Sequence, residues 1–233
     1  MTIIDTTFDF HSDTPVGKDP DSHSPTLKKY HKHLWSKELP VGGKFELTDK
    51  KSKSYLYHNS HLGEFYLGSD AITHSYRNTK SMHSIIKNLP ENMSESLFSV
   101  GSTIGSYTLF PSKQISKKMT INASRGCNHK IKDRFDLTLE CIRLFYQASS
   151  SPLSDVLSRY SDFFSLFEDF KGYVEFFLLQ DLVCSDFTSI KFHLPHDNFS
   201  THPLPRNIQE YILYRENTVD FIKKRNKRIL LSI

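Results

Sequence analysis

The chain predicts an α+β fold: a mainly antiparallel sheet with a short helix in the N-terminal half, and a helical half packed against it. Three observations carry that expectation. Short β-like runs punctuated by turn residues fill positions 44–122, the texture of hairpins. Helical periodicity with capping signals dominates positions 133–228. Aromatics are abundant, with 18 Phe, 11 Tyr and one Trp against 9 Gly, enough bulky apolar surface to offset the entropy of ordering a chain of this length.

Each element follows from local chemistry. Residues 1–23 are rich in Asp, Ser, Pro and His, and the Thr14-Pro15 and Asp19-Pro20 pairs disfavour helix at the residue before each proline, so this segment reads as loop. Ser24-Pro25 is an N-cap followed by proline at the first helical position, and Leu27, Tyr30 and Leu34 form the apolar stripe of a short helix ending before Gly42-Gly43. The runs Phe45-Glu46-Leu47, Tyr55 to His58, Glu64 to Leu67, Ser106 to Pro111 and Met119 to Asn122 suggest four to six strands, with turns at Asn59-Ser60 and Gly68-Ser69-Asp70 and a helical stretch within 70–87. Beyond Asp133, three helical segments are expected: 133–147, a second opening at Ser151-Pro152 and interrupted near Gly172, and a last one over 207–228. No repeat or low-complexity linker divides the chain, so a single domain over 1–233 is the expectation.

Composition narrows function only by class. A net charge of +4 with 24% charged residues is mildly basic, a weak footprint for nucleic acid. Cys127, Cys141 and Cys184 are odd in number and far apart, without the spacing of a zinc or redox motif, which fits a reducing compartment. No leader pattern and no apolar run of membrane-spanning length appear, so a cytoplasmic protein without membrane association is expected. The chain lacks a P-loop, a dinucleotide fingerprint and a nucleophile elbow, and no cofactor is implied. The twelve histidines are scattered and form no metal set of their own; the closest pairs are His31/His33, His58/His61 and His193/His196.

The stretch Thr120 to Arg143 concentrates the candidate chemistry. Arg125-Gly126 leads through Asn128, His129, Lys130 and Lys132 into a helix start, read as a basic loop where backbone N–H groups and an arginine fork suit a phosphate or carboxylate. On the following helix Asp133, Asp136 and Glu140, with Arg143, fall near one face. The functional reading makes Asp136, Glu140 and His129 catalytic, with Asp136 and Glu140 as base or hard-cation ligands and His129 on the anion, and Arg125, Arg134, Arg143 and Lys130 substrate-binding. The competing reading is structural: Asp133 as N-cap, Asp136 as a first-turn acid, and Glu140 with Arg143 as a surface pair. The Arg125-to-His129 gap is too short for the Arg-x4–6-His element of a helical ribonuclease superfamily. The basic tail Lys223, Lys224, Arg225, Lys227 and Arg228 reads as a solvated helix end.

Four strings, FDFHSDTP with GKDPD, SPTLKKYHKHLWSK, DRFDLTLECIR and GYVEFFLLQDLV, resemble a bacterial family of uncharacterised proteins. The resemblance covers most of the chain and implies one full-length unit, without assigning any catalytic residue. Tyr57-His58 followed by Glu64-Phe65-Tyr66 resembles, over two residues, the strand histidine of ADP-ribosyltransferase folds, which hydrogen-bonds a nicotinamide-ribose hydroxyl. Two functional expectations result: an enzyme or toxin-like effector acting on a nucleic acid or nucleotide, and a non-catalytic module that binds nucleic acid or protein through its basic faces. A third is an accessory protein recognised through the acidic, aromatic-rich segment Asp155 to Asp186.

Overall fold

The computed structural model describes residues 3–51, 54–90 and 100–232. One helical turn, α1 (Pro20–His23), already breaks the loop expected over 1–23, because Pro20 opens a helix at its first position instead of forbidding one. It leads into α2 (Pro25–Trp35), where the Ser24 hydroxyl accepts the Leu27 N–H at 3.1 Å and Leu27, Tyr30 and Leu34 are buried as the stripe predicts.

The sheet has three strands among the described residues, β1 (Leu56–Ser60), β2 (Gly63–Ala71) and β3 (Tyr107–Pro111), antiparallel in the order β1-β2-β3. This is fewer than the four to six expected. Phe45 and Leu47 alternate inward around exposed Glu46, but only isolated bridges at Glu38–Lys44 and Thr48–Tyr57 tie that segment to neighbours. Met119 to Asn122 is no strand: the Thr120 hydroxyl accepts the Ala123 N–H and starts α4 (Ile121–Cys127). Nor are Asn59-Ser60 and Gly68-Ser69-Asp70 turns. Ser60 pairs with Gly63, so the hairpin turns at 61–62, and Gly68 runs through the sheet where an added Cβ would stand 3.2 Å from the Ser112 side chain. Residues 91–99, inside the expected β-rich stretch, lie outside the described residues.

Between β2 and β3, a 3-10 turn over Lys80–Met82 precedes α3 (His83–Lys87), a shorter helix than the 70–87 expectation. After β3 and α4, the first long helix of the C-terminal half, α5 (Phe135–Tyr146), begins later than expected. Asp133 adopts φ +61°, so Arg134 takes the N-cap position instead. The second expected helix splits into α6 (Ser154–Ser158), α7 (Ser161–Ser165) and α8 (Phe170–Phe176). Gly172 does not end a helix; it lies in the first turn of α8, its N–H on the Asp169 carboxylate at 2.7 Å, where a Cβ would collide with the Phe167 carbonyl at 2.1 Å. The breaks let the rings of Phe163, Phe167, Tyr173, Phe176 and Phe177 interlock, with centroids 5.3 Å apart for Phe163–Phe167 and 5.0 Å for Tyr173–Phe177.

The last helix, α9 (Ile208–Leu231), starts where Asn207 accepts the Glu210 N–H at 2.8 Å. Its basic end is not wholly solvated. Arg225 is fully buried and donates to the carbonyls of Gly105, Tyr107 and Phe177, because it shares the inward face with Ile222 and Ile229. The main core gathers α2, the sheet and α5 to α8, while a smaller cluster of Tyr76, Met82, Leu194, Leu204, Tyr211 and Tyr214 packs beneath the loop that follows β2. That loop carries the site.

Candidate functional site

A short helix, not a loop, presents Arg125. Its guanidinium is fully buried and reaches four ways: to the Asp70 carboxylate at the end of β2, to the Ala71 carbonyl at 3.3 Å, to the Asp133 carbonyl at 2.9 Å and to the Thr138 hydroxyl at 3.2 Å. The Asp133 carboxylate lies 3.9 Å from the same guanidinium. The neighbouring Gly126 is tightly placed, since a Cβ there would sit 3.0 Å from the Asp133 carboxylate and displace it. Burial pushes the Asp70 carboxyl up to about 6 against the pull of Arg125, and the nearby charge of Asp133 adds to the rise.

A cavity of about 290 Å³ opens alongside this cluster, walled by His74, Tyr76, Arg77, Lys132 and Asp133, with Gly126 at its edge. Its walls are held in costly backbone conformations: Tyr76, Lys132 and Asp133 have φ of 55°, 48° and 61°, a left-handed region that residues with a Cβ seldom occupy. Tyrosines pin the loop through its carbonyls. Tyr76 donates to Lys132 at 3.0 Å, Tyr211 to Ser75 at 2.6 Å and Tyr214 to His74 at 3.3 Å. Strain maintained by such a scaffold is a feature of ligand clamps and active sites. The His74 Nε2 atom is buried and has no hydrogen-bond partner among the described residues. Burial, then the charge of Arg125, holds this imidazole down to about 4, so it is neutral at pH 7.

The other sequence-derived candidates fall into three places. Arg134 and Asp136 form a buried fork, Nε to Oδ1 at 3.1 Å and Nη2 to Oδ2 at 2.5 Å, while Arg134 also donates to Pro203 and Asp136 accepts the His193 N–H at 2.9 Å. Burial alone would raise the Asp136 carboxyl; the guanidinium outweighs it and holds the group below the usual carboxylate range. Glu140 and Arg143 pair with each other through two contacts of 2.7 Å each on α5. His129 and Lys130 are exposed, and neither lines the cavity. The stretch therefore brings Gly126, Lys132 and Asp133 to the concavity, with Arg125 buried behind Asp133, and leaves Arg134, Asp136, Glu140, Arg143, His129 and Lys130 off its walls. Sequence reasoning missed His74, Tyr76 and Asp70. The loop between Ala71 and Lys80 shows no periodicity, and a polar His-Ser-Tyr-Arg-Asn-Thr run after a strand was its only signal.

The strand histidine of the ADP-ribosyltransferase comparison is unavailable for a ribose. His58 is buried, with Nδ1 2.9 Å from the Glu46 carbonyl, Nε2 2.9 Å from the Ser60 hydroxyl, and its ring packed on Phe45. No group of three or more His, Cys, Asp or Glu side chains among the described residues could hold a metal ion. No helix there is long and apolar enough to cross a membrane.

Fold and site define the class: an α+β protein in which the loop after β2 and the connection between α4 and α5 wall a small polar cavity. The chain belongs to a family of unknown function, DUF6994, whose model matches residues 4–229. That span agrees with the likeness of its strings to a family without assigned activity. Comparison with curated proteins and with solved structures returned no match.

Proposed function

We propose that the cavity beside Arg125 binds a small molecule bearing a phosphate or carboxylate, a nucleotide being the class that best fits, and that the protein acts on it as an enzyme. The observation that carries this reading is His74, which lines a polar cavity with Asp133 and Lys132 and whose buried Nε2 has no partner among the described residues. A buried imidazole nitrogen without a partner loses roughly 1–3 kcal/mol relative to one that is bonded, and a ligand atom would supply the missing contact. Lys132 and Arg77 on the wall supply positive charge for the anion. A neutral imidazole and a carboxylate in one cavity are the groups that general acid–base chemistry uses. Arg125 serves as a positioning residue: buried and bonded to the Asp133 carbonyl, it holds the carboxylate's backbone in place.

Calorimetric titration with nucleoside mono- and triphosphates and with inorganic phosphate tests the proposal. Saturable 1:1 binding is expected, weakened at least tenfold by Lys132→Ala and by His74→Ala. Equal binding by wild type and both variants would rule the cavity out.

A nucleic-acid-binding reading has its own observation, a groove of about 580 Å³ lined by Lys117, Lys118 and Arg159 together with Asp155. It predicts an affinity that falls steeply with salt, by a slope of roughly one decade per decade of salt for each phosphate neutralised. Lys132→Ala would leave such binding unchanged, whereas Lys117→Ala with Lys118→Ala would reduce it.

A further inference from the structure

A second cleft, of about 540 Å³, lies where the segment after α2 meets α8, with Lys37, Glu38, Glu168, Asp169, Glu175 and Phe176 among its walls. Lys37 is unlike the other lysines. Its stem is largely covered, its Nζ donates to the Phe176 carbonyl at 2.6 Å, and it stands 4.6 Å from the Phe176 ring centroid and 5.1 Å from that of Trp35. Among the described residues no carboxylate forms an ion pair with it, although Lys171 in the same cleft pairs with Glu175 at 4.0 Å. The buried Arg225 guanidinium also lies 5.9 Å from the Trp35 indole centroid. The ammonium therefore meets two aromatic rings and one carbonyl, with a second cation on the same indole and no counter-ion among the described residues.

We infer that Lys37 is a nucleophilic amine and that this cleft takes a small uncharged carbonyl compound, an open-chain sugar aldehyde being the chemical class, which it binds as an imine. Desolvation, followed by the charge of Arg225, lowers the amine to about 8. At pH 7.5 its unprotonated fraction is then on the order of 100-fold that of an ordinary lysine. The carboxylates of Glu38, Glu168, Asp169 and Glu175 outnumber the cations Lys37 and Lys171 on the wall. That field disfavours an anionic aldehyde and leaves a hydroxyl-rich neutral one as the fitting ligand.

The chemistry balances without a further reagent. The Nζ lone pair attacks the carbonyl carbon and a C–N bond forms as the carbonyl π electrons move to oxygen. Nitrogen loses one proton and oxygen gains one, giving the carbinolamine. Its hydroxyl then takes a second proton and departs as water, the nitrogen lone pair closes the C=N bond, and the remaining N–H proton returns to solvent. Net, one amine and one aldehyde give one imine and one water. Glu38 and Glu168 are carboxylates on the same cleft wall, and solvent in the cleft exchanges these protons.

Incubation of the full chain with substoichiometric glyceraldehyde, reduction by cyanoborohydride and peptide mass mapping test the inference. The expected adduct forms on Lys37 at least tenfold faster than on Lys171 or on any exposed lysine. Its rate rises with an apparent midpoint near pH 8, and glyoxylate, an anionic aldehyde, labels it more slowly. Lys37→Arg keeps the cation and should abolish the preferred adduct. If that variant misfolds, the labelling ratio within the wild-type protein still decides. Labelling of Lys37 no faster than Lys171, or a rate still climbing through pH 10, would overturn the assignment, and faster labelling by glyoxylate would overturn the neutral ligand.

Discussion

Replacing Asp136 by alanine separates a structural from a catalytic role for a residue that the sequence offers as either. The side chain is fully buried and accepts three hydrogen bonds, two from Arg134 and one from the His193 N–H. Without it, the Arg134 guanidinium keeps only the carbonyls of Pro203 at 2.9 Å and Leu194 at 3.4 Å, in a place water does not reach. Breaking a buried pair from one side costs about 3–5 kcal/mol, because the surviving charge is stranded. For a chain of this size that corresponds to a fall in Tm of roughly 6–20 °C. Removing both charges, as Arg134→Met with Asp136→Leu, should cost less than either Arg134→Met or Asp136→Leu alone. Urea unfolding and scanning calorimetry measure all four corners of the cycle, and Lys224→Ala, at the exposed Lys224–Asp220 pair, should leave the midpoint unchanged as a control. Asp136→Ala with wild-type stability but no activity would refute this reasoning and restore the catalytic assignment, as would losses that simply add in the double variant.

Two further outcomes follow from the cavity. The His74 imidazole should titrate near pH 4 by NMR. Because that value lies below the unfolded one of about 6.5, its contribution to stability is full above pH 6.5 and is lost as pH falls through 4; an unfolding midpoint independent of pH between 7 and 4, in wild type and His74→Phe alike, would contradict it. Gly126→Ala, in the interior of α4, would ordinarily stabilise a helix by about 1 kcal/mol. Here the new Cβ meets the Asp133 carboxylate at 3.0 Å, so stability should not rise and nucleotide binding should weaken at least fivefold. An increase in Tm with unaltered affinity would show that this carboxylate is free to move.

Features set by residues within a few positions of one another were legible in the chain itself. Ser24-Pro25 caps and opens α2 because hydroxyl, proline and the Leu27 N–H are neighbours in any conformation the chain adopts there. The Leu27, Tyr30 and Leu34 stripe, the inward alternation of Phe45 and Leu47, and the buried Tyr211, Tyr214 and Phe221 of α9 follow from the same short-range periodicity. Strand number and turn positions were less legible, since Gly68-Ser69-Asp70 is turn-like in composition and becomes strand only when both neighbours pair with it.

Only the tertiary structure decided which charges serve as framework and which face a cavity. Arg125 finds Asp70 from 55 residues away, Lys37 finds the Phe176 carbonyl across 139, and Arg225 finds carbonyls of Gly105 and Phe177 across 120 and 48. In the linear chain each is one more cation in a basic stretch. Burial strips the water that would otherwise make all such groups alike, so the partner supplied by a distant segment determines whether a polar group is locked, as at Asp136, or left without a partner, as at the His74 Nε2 atom.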